Sequence, residues 1–356
     1  MPMVLAGCTS LVTSIAHAQV TPDRTYFGVN RPMPMTVRVP NQPPAADSAM
    51  PTKAWLQLLD PPAGDESAWP PPIASAPVQA GAVDLAALFP ELWTKQSPKV
   101  RYVQLAMGDE ATPTRIGPPV VLCPMVTPAT ALLVHPQTRA VWFTDPQTGE
   151  PNFPQRDGQI VWTTEPASFA GLRAEVDQHV VFDTSAGEIE FQFRPDAAPN
   201  TVANFRALAA GGFYTDIIFH RIVPVIANGA AFVVQVGDPT GTGDGGPGYN
   251  VPLEPSPLAH DFGVLSMARS TPPDTGGSQV FICLSREGTQ RLDGKYTSFA
   301  QAVRGEQVIL ALAKSPVKGD RPIDPPVLKS VGLIDAPPAG TGPAPVKKPV
   351  PAPAKR

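Results

Sequence analysis

Charge is scarce: Asp, Glu, Lys and Arg make up 16% of the 356 residues, against about a quarter in an ordinary soluble domain. With 27 Lys and Arg against 31 Asp and Glu, and a net charge of −4, no broad basic surface can form, so nucleic acid is excluded as a partner. Cysteine is scarcer still. The three cysteines, Cys8, Cys123 and Cys283, share no CxxC spacing, which rules out reading a zinc knuckle or a disulfide framework from them. The five histidines (17, 135, 179, 220 and 260) never pair at metal-ligand spacing, and no cofactor is expected. After the N-terminal stretch no segment reaches the ~18 apolar residues of a membrane span. Proline and glycine are abundant instead, 47 and 29 residues, just short of the ~25–30% that marks low-complexity disorder. A hydrophobic content of 42% suffices for packed cores. A loop-rich globular chain follows, and its length suits two domains of about 150 residues each.

Residues 3–16 are apolar and uncharged and run into Ala16-His17-Ala18, a small-x-small cleavage pattern, so 1–18 reads as an export signal. Leu5-Ala6-Gly7-Cys8 also resembles a bacterial lipoprotein box, in which Cys8 would carry a lipid anchor. The expected location is exported, periplasmic or envelope-associated, either soluble or lipid-anchored. At the other end, residues 336–356 are rich in Pro, Ala and Lys without an aromatic residue; a mobile tail is expected there.

Between these ends the texture changes once, near Ala174. Residues 19–173 read as short β segments separated by prolines, at 35–39, 54–58, 100–106, 120–122, 140–144 and 159–163, and contain all five tryptophans; a small β-sandwich-like domain is expected. No carboxylate pair, histidine cluster or nucleophile constellation marks a chemistry there. Residues 174–335 open with a hairpin, 179–183 and 188–193, in which Ile189, Phe191 and Phe193 alternate with polar residues. Pro199, Val202, Phe205 and Leu208 follow at helical spacing, with Gly211-Gly212 as the stop. Strands are expected at 217–223, 232–236, 263–267, 280–284 and 296–300, and a second helix at 306–313. Many strands and two helices suit a barrel closed to remove its edges.

Gly241-Thr242-Gly243-Asp244-Gly245-Gly246 contains GxGxxG, but Pro247 and Pro252 follow, so the helix that would meet a pyrophosphate cannot start. The glycines suit a tight surface loop. Ser278 lacks the GxSxG elbow of a hydrolytic nucleophile. Five segments carry the chemistry: Phe219-His220-Arg221-Ile222-Val223-Pro224, Phe232-Val233-Val234-Gln235-Val236-Gly237-Asp238, Leu265-Ser266-Met267-Ala268, Gly277-Ser278-Gln279-Val280-Phe281-Ile282, and Leu292 to Phe299. In this order they resemble the cyclophilin-type peptidyl-prolyl cis-trans isomerases, over about Gln178 to Asp335.

The resemblance implies a mainly β fold, an eight-stranded closed barrel with two capping helices, and rotation of X-Pro bonds in proline-containing segments of unfolded or flexible exported proteins. By motif position Arg221 is the catalytic arginine. Phe232, Val233, Phe281 and Leu292 would line the proline pocket, and Gln235, Gln279, Gly241, Ala268, Arg269 and Ser270 would hold the substrate backbone. Tyr296 stands where the family often has His. Arg291 replaces a common Trp, which implies weak cyclosporin binding, and Arg269-Ser270 adds positive charge to the rim. Residues 225–231 are inserted beside Arg221. If they displace Phe232, the chain is instead a catalytically weak or inactive proline-peptide-binding or scaffolding protein of the cell envelope.

Overall fold

The computed structural model describes residues 19–40, 53–62, 69–93, 99–137, 139, 158–163 and 168–349. The export stretch with Cys8, the expected strand at 140–144 and residues 350–356 lie outside the described residues.

The first unit is built from two antiparallel sheets around one core, with a further antiparallel pair of Ala131–Val134 and Gln159–Trp162. Six strands pair in the order Tyr26–Gly28, Phe169–Val176, Thr114–Val126, Arg101–Met107, Ala54–Leu59 and Ala74–Val78, and three more in the order Val20–Pro22, Pro34–Val37 and Gly81–Asp84. Met35 and Val37 of the smaller sheet share a buried cluster with Leu56, Leu58, Val103 and Leu105 of the larger, which gives the sandwich-like arrangement. Strand Arg101–Met107 is covered on both faces. Val103 and Leu105 enter the sandwich core, whereas Tyr102 joins Leu59, Val121 and Cys123 in a second cluster on the opposite face. Asp84 caps the short helix Leu85–Leu88 by accepting from the Ala86 N–H (3.1 Å) and ties it to the Met33 N–H (2.8 Å).

The second unit begins just after the strand in which the composition changes. Phe169–Val176 pairs with Thr114–Val126 and sends Ala174 into the first core, so the change of unit falls at Asp177. Gln178–Thr184 then pairs with both Gly187–Phe193 and Val327–Asp335. The ladder runs from Ile217–Ile218 through Val327–Asp335, Gln178–Thr184, Gly187–Phe193, Ser298–Arg304, Val264–Met267, Val280–Cys283 and Val233–Val236 to Arg221–Val223. Its two ends are successive pieces of the chain, separated only by Phe219 and His220, so the sheet returns on itself. Counted with 217–223 as one interrupted strand, the ladder has eight strands.

Inside it, Phe182, Phe191, Phe205 and Phe299 are fully buried. Phe205 comes from helix Pro199–Ala210 and stacks on Tyr214 at 4.7 Å between ring centroids. Burial of such a side chain contributes about 1.5–3 kcal/mol, which is how a helix of weak amphipathy is held on the barrel. Pro199 occupies the first turn, and Gly212, at φ +74, carries the chain out of the helix. Helix Glu306–Ala313 packs through Ile309 and Leu312.

The expected mobile tail is corrected over 336–349. Ala336 and Ala339 are buried, the Ala336 N–H bonds to the Asp177 carbonyl, and the Val346 N–H bonds to the Ala302 carbonyl. Composition alone shows that this segment has no core of its own; it gives no information about the surface the segment packs against.

Candidate active site

The register across four neighbouring strands places Arg221 opposite Gln235, Gln235 opposite Phe281, and Phe281 opposite Ser266. Directly opposed residues share a face, so these four form a row on one side of the sheet. Their sequence neighbours Ile222, Val234, Ile282 and Leu265 belong to the sealed barrel core. The row therefore lies on the outer face.

Beside the row is a separate apolar cluster containing Phe232, Val233, Phe281 and Leu292, with Val223 and Cys283 beneath and Ala268 and Tyr296 packed at its margin. The sequence-assigned proline pocket is thus assembled as one patch. Residues 225–231 make a tight turn, the Ile226 N–H bonding to the Ala230 carbonyl and the Gly229 N–H to that of Ile226. They extend the arm beyond Val223, and Ile226 packs against the cluster that contains Phe232. Arg291 lies over the Phe232 ring at 4.8 Å. Tyr296 meets Phe281 edge to face at 5.7 Å.

Polar groups form a directed chain along the row. Arg221 Nη1 donates to Gln235 Oε1 (3.3 Å), Gln235 Nε2 donates to Gln279 Oε1 (2.9 Å), and Gln279 Nε2 donates to the carbonyls of Gly243 and Gly245 (2.8 Å each). Arg221 Nε and Nη2 also meet Asp320 Oδ2, each at 3.1 Å. A guanidinium has five N–H donors, so these contacts fix its plane and leave donors for an incoming group.

Gly241 turns the loop at φ +68 against Ile218, where a Cβ would collide with that side chain. The loop is organised by buried Asp238, which accepts from the N–H groups of Thr240 (2.7 Å) and Gly243 (2.5 Å) and from Thr240 Oγ1 (2.8 Å). Burial raises its pKa, but these hydrogen bonds outweigh burial and hold the carboxyl well below the usual range.

Arg269 is folded back, its Nε donating to the Lys295 carbonyl (3.0 Å) and Nη1 to those of Ser270 and Thr271 (2.8 and 2.9 Å), with the guanidinium 4.5 Å from the Tyr296 ring. It serves as a loop brace, and partial burial lowers its pKa. Ser270 is exposed and gives its N–H to Thr275 Oγ1 (3.0 Å).

Sequence reasoning missed a support under the pocket. His260 is fully buried and stacks on Phe281 at 6.1 Å. Its Nδ1 is 3.0 Å from Asp293 Oδ1 and its Nε2 is 2.9 Å from Ser266 Oγ. Burial raises the Asp293 pKa, but the Arg286 contact and the His260 hydrogen bonds bring it down to about 2. The ionised carboxylate therefore selects the Nδ1–H tautomer, and Nε2 accepts the Ser266 hydroxyl proton. Burial also lowers the His260 pKa and favours the neutral ring. Ser266 and Asp293 appear in the motif segments, but nothing in the sequence showed that His260 links them. Asp320 likewise gave no signal, being 99 positions from Arg221.

An apolar cluster on the outer face is thus edged by an arginine and two glutamines. Comparisons with known proteins specify it further. Residues 179–333 match the family model of the cyclophilin type peptidyl-prolyl cis-trans isomerase/CLD. The chain is 44% identical over 141 residues to a peptidyl-prolyl cis-trans isomerase of Synechococcus elongatus, covering 40% of this chain and 90% of that protein. It is 45% identical over 135 residues to peptidyl-prolyl cis-trans isomerase B of Bacillus subtilis, covering 37% and 85%. Among solved structures, a cyclophilin type isomerase of Cryptosporidium parvum is 34% identical over 45% of this chain and 99% of its own, with a TM-score of 0.41. The chain belongs to the cyclophilin-type peptidyl-prolyl cis-trans isomerases, and its barrel unit is the isomerase.

Proposed function

We propose that Arg221 carries the catalysis, by binding the twisted X-Pro amide more tightly than the planar one. Rotation costs about 18–20 kcal/mol because the amide loses its resonance, and no covalent bond is made or broken. The twisted nitrogen becomes pyramidal and exposes a lone pair, to which a fixed guanidinium N–H can donate; the planar nitrogen offers no such acceptor. Phe232, Val233, Phe281 and Leu292 hold the pyrrolidine ring, while Gln235 and Gln279, with the backbone near Gly241, Ala268 and Ser270, hold the flanking chain so that one side of the bond turns. The observation that carries this reading is the Arg221–Gln235–Gln279 chain at the edge of the outer apolar pocket. The test is isomerisation of a short X-Pro peptide by the purified chain and by Arg221→Ala and Arg221→Lys. Loss of about 10²–10³-fold in kcat/KM in the alanine variant, with peptide still bound, supports the assignment; undiminished turnover contradicts it.

The substrates we propose are flexible proline-containing segments of exported proteins. The apolar stretch before Ala16-His17-Ala18 supports export, and Leu5-Ala6-Gly7-Cys8 supports an envelope anchor. The mass of the N-terminal peptide of the protein isolated from its host distinguishes cleavage after Ala18, lipid on Cys8, and neither. Weak cyclosporin binding is proposed from Arg291 over Phe232, a charged group where an indole would give apolar contact; submicromolar binding by calorimetry contradicts it.

A further inference from the structure

The face of the first unit remote from its sandwich core holds a built site for a piece of polypeptide. Gln104 is fully buried, and its Nε2 donates to the carbonyls of Ile116 (2.8 Å), Gly117 (3.1 Å) and Leu105 (3.2 Å). These bonds fix the amide so that Oε1 accepts the Ala339 N–H at 3.0 Å. Arg115 Nε donates to Gln57 Oε1 (3.1 Å), and its Nη1 donates to the Ala339 carbonyl at 2.9 Å. Both polar groups of one peptide residue are thus read by side chains that other bonds hold in place. The Ala339 methyl is buried with Tyr102, Leu59 and Val121, and Trp69 stands edge to face on Tyr102 at 4.8 Å.

The segment read here has a specific shape. The Thr341 N–H bonds to the Pro338 carbonyl (2.9 Å) and Gly340 has φ +84, which makes Pro338–Thr341 a β-turn with glycine at its third position. A Cβ on Gly340 would stand 3.4 Å from both Trp69 and Arg115. The site therefore asks for a proline, then a small residue, then glycine. Prolines fix the approach at little entropic cost, and the aromatic pair supplies the platform.

We propose that the first unit is a second polypeptide-binding site, selective for Pro-Pro-small-Gly turns, and that residues 337–341 occupy it in cis. A segment of this composition on another chain reaches it by displacing the chain's own. In cis the turn is presented at an effective concentration on the order of millimolar, so free peptide binds the unmodified protein poorly. The site does not use the barrel groove, and the proposal stands apart from the role assigned to Arg221.

The test uses the full chain with Ala339→Asp, which puts a charge where the buried methyl sits and ejects the cis turn, and a fluorescent peptide with the sequence of residues 335–342. Saturable binding to this variant, at least tenfold tighter than to the unmodified chain, is expected. Adding Arg115→Ala is expected to weaken it about tenfold or more, as is alanine in place of the peptide glycine. Should Ala339→Asp not fold, Ala339→Gly gives the same comparison at smaller amplitude. A folded variant that binds no peptide overturns the proposal, and so does binding indifferent to both Arg115 and the glycine.

Discussion

The two faces of the same four barrel strands have opposite tasks. Ile222, Val234, Ile282 and Leu265 point inward and are completely buried; Arg221, Gln235, Phe281 and Ser266, their alternating neighbours, form the outer row. Since side chains alternate along a strand with period 2, one backbone register sets both, and a slip of one residue would exchange core for groove. The inner face derives its stability from dense packing without polar atoms. The outer face keeps polar groups in a directed hydrogen-bond chain beside an apolar cluster. The groove geometry is therefore as rigid as the barrel that carries it.

Ile282→Ala, on the inner face, is expected to cost about 2–5 kcal/mol of stability, read by chemical denaturation, with activity of the folded fraction kept. Its neighbour Phe281→Ala is expected to lower kcat/KM of the folded fraction about 10- to 100-fold through the lost apolar contact. Equal loss of activity in the folded fraction of the two variants would break the distinction between the faces. Gln279→Ala, which frees the loop at Gly243 and Gly245, is expected to cost about tenfold, in KM more than in kcat.

The smallest effect is expected at the joint between the units. Burial pushes the Asp177 carboxyl up to about 6, against the lowering influence of His179 and Arg206. Its folded pKa lies above the unfolded one, so protonation favours the fold: the contribution is fully present below about pH 4 and is lost as pH rises through 6. Asp177→Asn should raise the melting temperature at pH 8 and leave it nearly unchanged at pH 4; equal shifts at both pH values would sink this assignment.

The barrel was legible in the sequence because its opening hairpin is long enough to show alternation and its motifs stand in a fixed order. Helices 199–210 and 306–313 were marked by Pro199, Gly211-Gly212 and apolar spacing. The strand expected over 217–223 breaks at Phe219-His220, where the chain passes from one end of the ladder to the other, a feature no local pattern encodes. In the first unit the strands Val20–Pro22, Tyr26–Gly28, Ala74–Val78, Gly81–Asp84 and Ala131–Val134 are too short and too interrupted by proline to show a period. Of the site, the side chains given by motif were legible; their partners Asp320 and His260 were brought in by tertiary contacts. The docking of 336–349 escaped notice for the same reason, since it depends on Gln104 and Arg115, more than 200 positions away.

The most direct test compares adjacent residues of one strand, measuring melting temperature and prolyl isomerisation for Arg221→Ala and Ile222→Ala side by side. The expected result is a crossed pattern: Arg221→Ala melts within a few degrees of the unmodified chain and loses about 10²–10³-fold in kcat/KM, while Ile222→Ala melts lower and keeps its turnover when folded. Turnover that survives Arg221→Ala, or falls equally in both variants, would contradict the division of labour between the two faces.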